Sequence, residues 1–120
     1  MRGFLLLISG AVCLTAQTAS DQNQRQKASE LFAQGKRLEA LPLLEELVKA
    51  NPKDASMLVA LAASLVEHAA TLSDQESAGQ ERLRARSLLD RAWELGDTSA
   101  LAMNLSQLLK QLPEIGRAHV

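Results

Sequence analysis

The sequence predicts an all-α fold of about five short helices. After residue 20, apolar residues recur at intervals of three and four along most of the chain, which is the spacing that lines one face of an α-helix. Gly35, Pro52 and Gly96 interrupt this pattern at predicted helix ends. No stretch alternates apolar and polar residues with a period of two, and β-branched residues are few, so no strand is predicted.

The composition indicates a single folded domain without a nucleic-acid-binding role. Over 120 residues, 13 Lys and Arg oppose 14 Asp and Glu, for a formal net charge of −1, and this balance gives no clustered basic face. Aromatic residues make up 2% of the chain, so few rings are available to stack on bases. Hydrophobic residues at 47% argue against intrinsic disorder.

Residues 1–19 are predicted to be a secretory signal peptide rather than part of the fold. Arg2 precedes an apolar run from Phe4 to Leu14, and small residues follow, in the order typical of a signal peptide. The run is shorter than the roughly 20 residues that a membrane-spanning helix needs. We therefore expect an exported protein, periplasmic or secreted, with no membrane span after cleavage. An uncleaved N-terminal membrane anchor or a disordered apolar tail are the alternatives.

Cys13, the only cysteine, lies inside this segment. The mature chain is therefore expected to have no disulfide, no thiolate metal site and no cysteine nucleophile. Acylation of Cys13, as in bacterial lipoproteins, fits poorly, because Gly10 and Val12 stand where those signals carry a leucine and a small residue. Removal of Arg2 with the signal leaves 12 basic against 14 acidic residues, a net charge of −2.

The first three helices are predicted at 24–34, 37–50 and 54–72. Gly35 ends the first helix and Asn51-Pro52 ends the second. Pro42 is expected near the first turn of the second helix, where proline is tolerated. The third helix has Asp54 as its expected N-cap and is apolar almost all round, as in a helix with neighbours on several sides.

A polar segment at 71–81 separates the third helix from a fourth, predicted at about 80–95. Ser73 and Glu76 stand at the spacing of a capping box, so a helix start near them is an alternative, which Gly79 could interrupt.

The fifth helix is predicted at about 99–112. Gly96 ends the fourth helix, and Asp97 or Thr98 is the expected cap of the fifth. The helical domain is thus predicted at 20–112, with a flexible tail at 113–120.

The helices carry an internal repeat that resembles the tetratricopeptide repeat (TPR) family. The run from Leu58 to Leu65 has the spacing of the first helix of such a repeat, and residues 33–54, AQGKRLEALPLLEELVKANPKD, resemble the remainder of the unit. The matching positions are Ala28, Gly35, Ala40, Leu44, Pro52, Leu58, Leu61, Ala62, Leu65, Ala85, Leu89 and Ala92. The resemblance implies two repeats plus a capping helix, with antiparallel helix pairs stacked as a short α-solenoid. A generic helical bundle is the alternative.

The two predicted second helices are 45 residues apart, from Ala40 to Ala85, against a repeat of about 34 residues. The excess coincides with 71–81, so an insertion is predicted in the turn between paired helices. Because about three repeats are usually needed for a stable solenoid, two repeats predict a marginal monomer, self-association or docking on a partner.

No catalytic role is expected, because the chain carries no motif of a nucleophile elbow, zinc protease, phosphate loop or dinucleotide site. No cofactor and no metal site are predicted either. His68 lies next to Glu67, but a metal site would need at least one more ligand nearby, so His68 is interpreted as a surface histidine. His119 lies in the terminal tail and has no partner in sequence. Glu45, Glu46 and Glu81 alternate with basic residues and are assigned to a solvated helix face. The basic run at 82–86 is interpreted as a salt-bridged surface, with an anion site as the alternative.

The resemblance implies a binding role, in a concave groove lined by the first helix of each pair. It places six residues on that groove: Arg25, Ser29, Phe32, Val59, Ala63 and Val66. We therefore expect an exported protein-interaction module, an adaptor or scaffold, that binds a peptide or helix of an envelope protein. For Val59 and Val66, ordinary packing is the alternative. For the domain, the alternatives are self-association through its unpaired last helix or a piece of a longer repeat array.

Overall fold

The computed structural model describes residues 22–111, as five helices and no strand. This confirms the predicted all-α class for that part of the chain. The helices are α1 (22–33), α2 (Arg37–Ala50), α3 (Ala55–Thr71), α4 (Gln75–Glu94) and α5 (Ala100–Gln111). The predicted signal peptide at 1–19 and the predicted tail at 113–120 lie outside the described residues.

Two glycines end helices α1 and α4 as predicted. Gly35 has a φ of 78° and Gly96 a φ of 97°, values that glycine adopts without the steric cost that a Cβ brings. After α1, the N–H of Lys36 donates to the carbonyl of Leu31 at 2.8 Å, and the corresponding bonds end α4. Both ends are therefore Schellman caps, in which backbone donors satisfy the last carbonyls of the helix.

Aspartate side chains cap α3 and α4. Asp54 accepts a hydrogen bond from the N–H of Met57 at 3.4 Å, as predicted. The cap of α4 is Asp74, which accepts from the N–H of Glu76 at 3.2 Å. The capping box that the spacing of Ser73 and Glu76 suggested does not form, because the helix begins one residue later than that motif requires.

The cap of α5 also differs from the prediction. Ser99 accepts a hydrogen bond from the N–H of Ala102 at 3.3 Å, whereas Asp97 or Thr98 was the expected cap. The Asp97 carboxylate instead accepts from the N–H of Ser99 at 2.9 Å. The N–H of Asp97 donates to the carbonyl of Ala92 and so belongs to the C-terminal cap of α4. Helix α5 therefore starts further along the chain.

Residues 71–81 form helix rather than an extended turn. Only 72–74 separate α3 from α4, and 75–81 supply the first two turns of α4. The extra residues therefore lengthen α3 and α4 to 17 and 20 residues, against 14 in α2. Gly79 does not interrupt α4 but lies buried within it. Proline is also accommodated in a helix, since Pro42 lies beyond the first turn of α2 without ending it.

The matched repeat positions form much of the core. Gly35 and Pro52 lie in turns, and every other matched position is buried: Ala28, Ala40, Leu44, Leu58, Leu61, Ala62, Leu65, Ala85, Leu89 and Ala92. Small and large residues alternate in this set, and such a mixture lets paired helices approach closely while leucines fill the space between them.

From α2 onward each helix packs on the next one along the chain, so these helices form a short stack. Helix α2 packs on α3, α3 packs on α4, and α5 contacts both α4 and α3. Helix α1 contributes Ala28 to the core, and Leu31 and Phe32 pack against it. The short connections make consecutive helices antiparallel. Helices α1, α3 and α5 consequently run in the same direction and present one shared side.

Candidate binding cleft

A cleft of about 230 Å³ lies on the side shared by α1, α3 and α5. We call it the α1–α3 cleft. Ser56 and Ala60 of α3 form its floor, Ser29 and Phe32 of α1 form one wall, and Leu101 of α5 reaches it from the other side. The floor residues are four positions apart and therefore lie on the same face of α3. Both are small, and the buried Leu44 of α2 also lines the cleft.

The lining of this cleft is mostly apolar. Ser29 and Ser56 contribute its side-chain hydroxyls, and both residues are exposed. Neither hydroxyl has a hydrogen-bond partner among the described residues. Both hydroxyls are thus free to bond to the backbone of a bound segment, while the apolar walls would bury its side chains.

Charged groups stand at the rim, beside Phe32. The guanidinium carbon of Arg37 lies 4.7 Å from the centre of the Phe32 ring, within the range of a cation–π interaction. The Nε of Arg37 is 3.9 Å from a carboxylate oxygen of Glu67 on α3. These contacts hold Phe32 in place and leave the rim with balanced charge.

The predicted groove residues divide into three groups. Ser29 and Phe32 line the α1–α3 cleft. Val59 and Ala63 are 3% and 1% exposed and belong to the core, so neither presents a surface to a partner in this structure. Val66 is half-buried and packs against the same core.

Arg25, the remaining groove residue, takes part in a structural contact. Its guanidinium lies 2.7 Å from the carboxylate of Asp54, the residue that caps α3. The pair borders a second cleft of about 260 Å³, near the turn between α2 and α3. Arg25 therefore links the start of α1 to the start of α3 and does not line the α1–α3 cleft.

Sequence reasoning missed the residues that α3 and α5 contribute to the cleft, namely Ser56, Ala60 and Leu101. The two floor residues are four positions apart, but α3 also carries Ala55, Ala62, Ala63 and Ser64. No pattern in the sequence therefore singled out Ser56 and Ala60.

A charged pair joins α2 to α4 on the outer surface. Both terminal nitrogens of Arg84 donate to the two carboxylate oxygens of Glu45, at 2.5 and 2.8 Å. The hydrogen bond from Arg84 lowers the pKa of the Glu45 carboxyl below its ordinary value. The basic run at 82–86 is therefore salt-bridged through Arg84, in agreement with its interpretation as a salt-bridged surface.

His68 and Glu81 form a second cross-helix pair. The Nδ1 of His68 lies 2.6 and 2.8 Å from the two carboxylate oxygens of Glu81. Glu81 is thus half-buried and paired with a residue of α3. The prediction that it belongs to a purely solvated helix face is wrong. Between residues 22 and 111, no three His, Cys, Asp or Glu side chains gather as a metal site would require. His119 lies outside the described residues.

Comparisons with protein-family models, curated proteins and solved structures find no match to this chain. The TPR resemblance therefore stays a prediction from the sequence. Within the part of the chain that the structure describes, no helix is both long and apolar enough to cross a membrane.

Proposed function

We propose that this protein is an exported protein-interaction module that binds an apolar peptide or helix of an envelope protein in the α1–α3 cleft. The observation that carries the proposal is the cleft itself, with a floor of small residues and walls from two further helices. The proposal assigns no catalytic role to the domain.

The size of the cleft favours a peptide anchor over a small molecule. Pockets for drug-sized ligands typically measure about 300–1,000 Å³, whereas this cleft measures about 230 Å³. It therefore has room for one or two apolar side chains, while the rest of the segment would lie along the shared side of α1, α3 and α5. Leu108, an exposed leucine seven positions after Leu101, continues the same stripe of α5.

The sequence resemblance supports the same surface. TPR proteins bind partners along the side formed by the first helices of their repeats, and α1, α3 and α5 are the helices that would correspond to these. A peptide bound there would contact three helices at once and depend on their stacking.

Charge introduced at the cleft floor tests this proposal. Ser56→Glu places a carboxylate in the cleft at the first turn of α3, a position where the helix dipole favours acidic residues. Ser87→Glu is the matched control, since Ser87 is exposed on α4 and does not line the cleft. Peptides selected from a random library against the unmodified protein are then measured by fluorescence anisotropy.

We expect the selected peptides to carry apolar anchors and to bind Ser56→Glu at least about tenfold more weakly, because a buried carboxylate without a partner opposes docking. Affinity for Ser87→Glu should be unchanged. Equal affinity for both variants, with both folded by circular dichroism, would refute the α1–α3 cleft as the binding site.

Export is the part of the proposal that depends on residues 1–19, which lie outside the described residues. Fusion of residues 1–30 to a phosphatase that is active only after export should give activity. A matched fusion with Leu6→Arg and Leu7→Arg should not, because the charges interrupt the apolar run that defines a signal peptide. Equal activity of the two fusions would remove the support for export.

A further inference from the structure

A second exposed apolar surface lies between α4 and α5, away from the α1–α3 cleft. It surrounds a cleft of about 350 Å³ whose lining includes Trp93, Met103, Asp90 and Lys110. We call it the α4–α5 face. Met103 and Leu101 are two positions apart on α5 and so point to different sides of that helix. The two surfaces can therefore be occupied and tested independently.

The α4–α5 face exposes residues that folded proteins usually cover. Trp93 is 57% exposed and Met103 is 48% exposed, and Trp93 is the only tryptophan in the sequence. Tryptophan is enriched among the residues that dominate protein interfaces. On the α4–α5 face these two exposed apolar side chains stand among polar residues that include Ser106 and Gln107.

The charges on this face are complementary to each other. Asp90 on α4 and Lys110 on α5 both line the cleft, and neither has an ion-pair partner among the described residues. A two-fold symmetric interface brings one surface against an identical copy of itself. Asp90 of each copy can then pair with Lys110 of the other copy. The dimer would therefore contain two equivalent ion pairs across its interface.

We propose that the α4–α5 face binds a second copy of this chain, as a two-fold symmetric dimer centred on Trp93 and Met103. The acid and the base on one face are what favour a copy over an unrelated partner, because the surface is its own electrostatic complement. The formal net charge of −1 adds little repulsion between copies. This inference is separate from the proposed function, which uses the other side of α5.

Charge reversal with mixing tests the dimer on the full chain. Asp90→Lys gives two lysines on the face, and Lys110→Asp gives two aspartates. Each variant alone should dimerise about tenfold more weakly, since like charges then face each other. An equimolar mixture of the two should dimerise again, because every facing pair is then opposite in sign. Sedimentation equilibrium gives the masses, and a blue shift of Trp93 fluorescence reports burial at the face itself.

Glu30→Lys and Lys27→Asp are the matched controls, since they make the same charge changes at exposed positions on α1. Both should dimerise like the unmodified chain. Association through the apolar residues at 1–19 would be insensitive to the reversals and to mixing. The proposal is overturned if the unmodified chain is monomeric throughout the micromolar range, if the controls weaken equally, or if the mixture stays monomeric.

Discussion

The Arg84–Glu45 pair shows what single side chains contribute to the stack. It joins α2 to α4, two helices that are not consecutive, through two parallel hydrogen bonds. Such bidentate contacts fix geometry better than a single point-charge contact does. Their free energy is small where the groups are exposed, and the side chains here are 50% and 31% exposed. We expect the pair to contribute less than about 1 kcal/mol to unfolding.

This contribution should depend on pH. The Arg84 hydrogen bond lowers the pKa of Glu45 in the folded protein from its ordinary value of 4.5. The stabilisation is therefore fully present above pH 4.5 and is lost as the pH falls through the lowered folded value. Denaturant unfolding near pH 7 should show Glu45→Gln to be less stable than the unmodified protein, and this difference should vanish near pH 2.

Glu46→Gln is the control for this experiment, because Glu46 makes only an exposed contact with Lys49 of the same helix, at 3.7 Å. It should change stability little at either pH. A stability difference for Glu45→Gln that is the same at both pH values would contradict the role given to Arg84.

Helices α3 and α4 form the longest helix pair. Small residues lie near the turn at 72–74 that joins them. Ala69 on α3 and Ala78 and Gly79 on α4 are all buried. Glycine within a helix costs about 1 kcal/mol relative to alanine, so a buried glycine there indicates close approach of the neighbouring helix. These residues let the extra turns of both helices pack together rather than diverge.

Enlarging this contact should separate the two helices. Gly79→Leu places a large side chain at a buried position of α4, and overpacking of this kind costs about 1–3 kcal/mol. Gln80→Leu adds the same side chain at the next, exposed position and should change stability little. Thermal unfolding measures both, and equal melting temperatures for the two variants would contradict close packing at Gly79.

The helices differed in how well the sequence predicted them. The ends of α1 and α4 were predictable because Gly35 and Gly96 supply a backbone conformation that few other residues adopt. The start of α4 agrees only with the alternative prediction of a helix start near Ser73 and Glu76. The main prediction placed it near residue 80, because 75–81 is polar and contains Gly79, features that indicate a loop when taken alone. Packing against α3 makes this stretch helical, and such tertiary contacts outweigh local propensity.

The cleft was predictable only in part. Ser29 and Phe32 were placed on the groove by the resemblance to TPR proteins, and both line the cleft. On α3 every residue from Met57 to Leu65 is buried, and a helix that is apolar all round gives no indication of which side meets which neighbour. The resemblance placed Val59 and Ala63 on the groove, whereas the cleft is lined by Ser56 and Ala60, each three positions earlier along α3.

Taken together, the described helices place two apolar surfaces on one small stack. The α1–α3 cleft is lined by residues of three helices that run in the same direction. The α4–α5 face lies on another side of α5, the last of these three helices. Because each helix packs mainly on its neighbours, stability in such a stack is close to a sum of neighbour contacts. Leu101 of α5 lines the binding cleft, whereas Met103 of the same helix lies on the α4–α5 face.

Chemical-shift mapping with the tightest peptide selected from the library tests whether the α1–α3 cleft is the binding site. We expect the largest amide shifts on the cleft residues of three helices: Ser29 and Ala33 on α1, Ser56 and Ala60 on α3, and Leu101 on α5. The α4–α5 face, including Trp93 and Lys110, should be unaffected at a fixed protein concentration. Shifts confined to that face, or to the outer surface of α2, would contradict the proposed function.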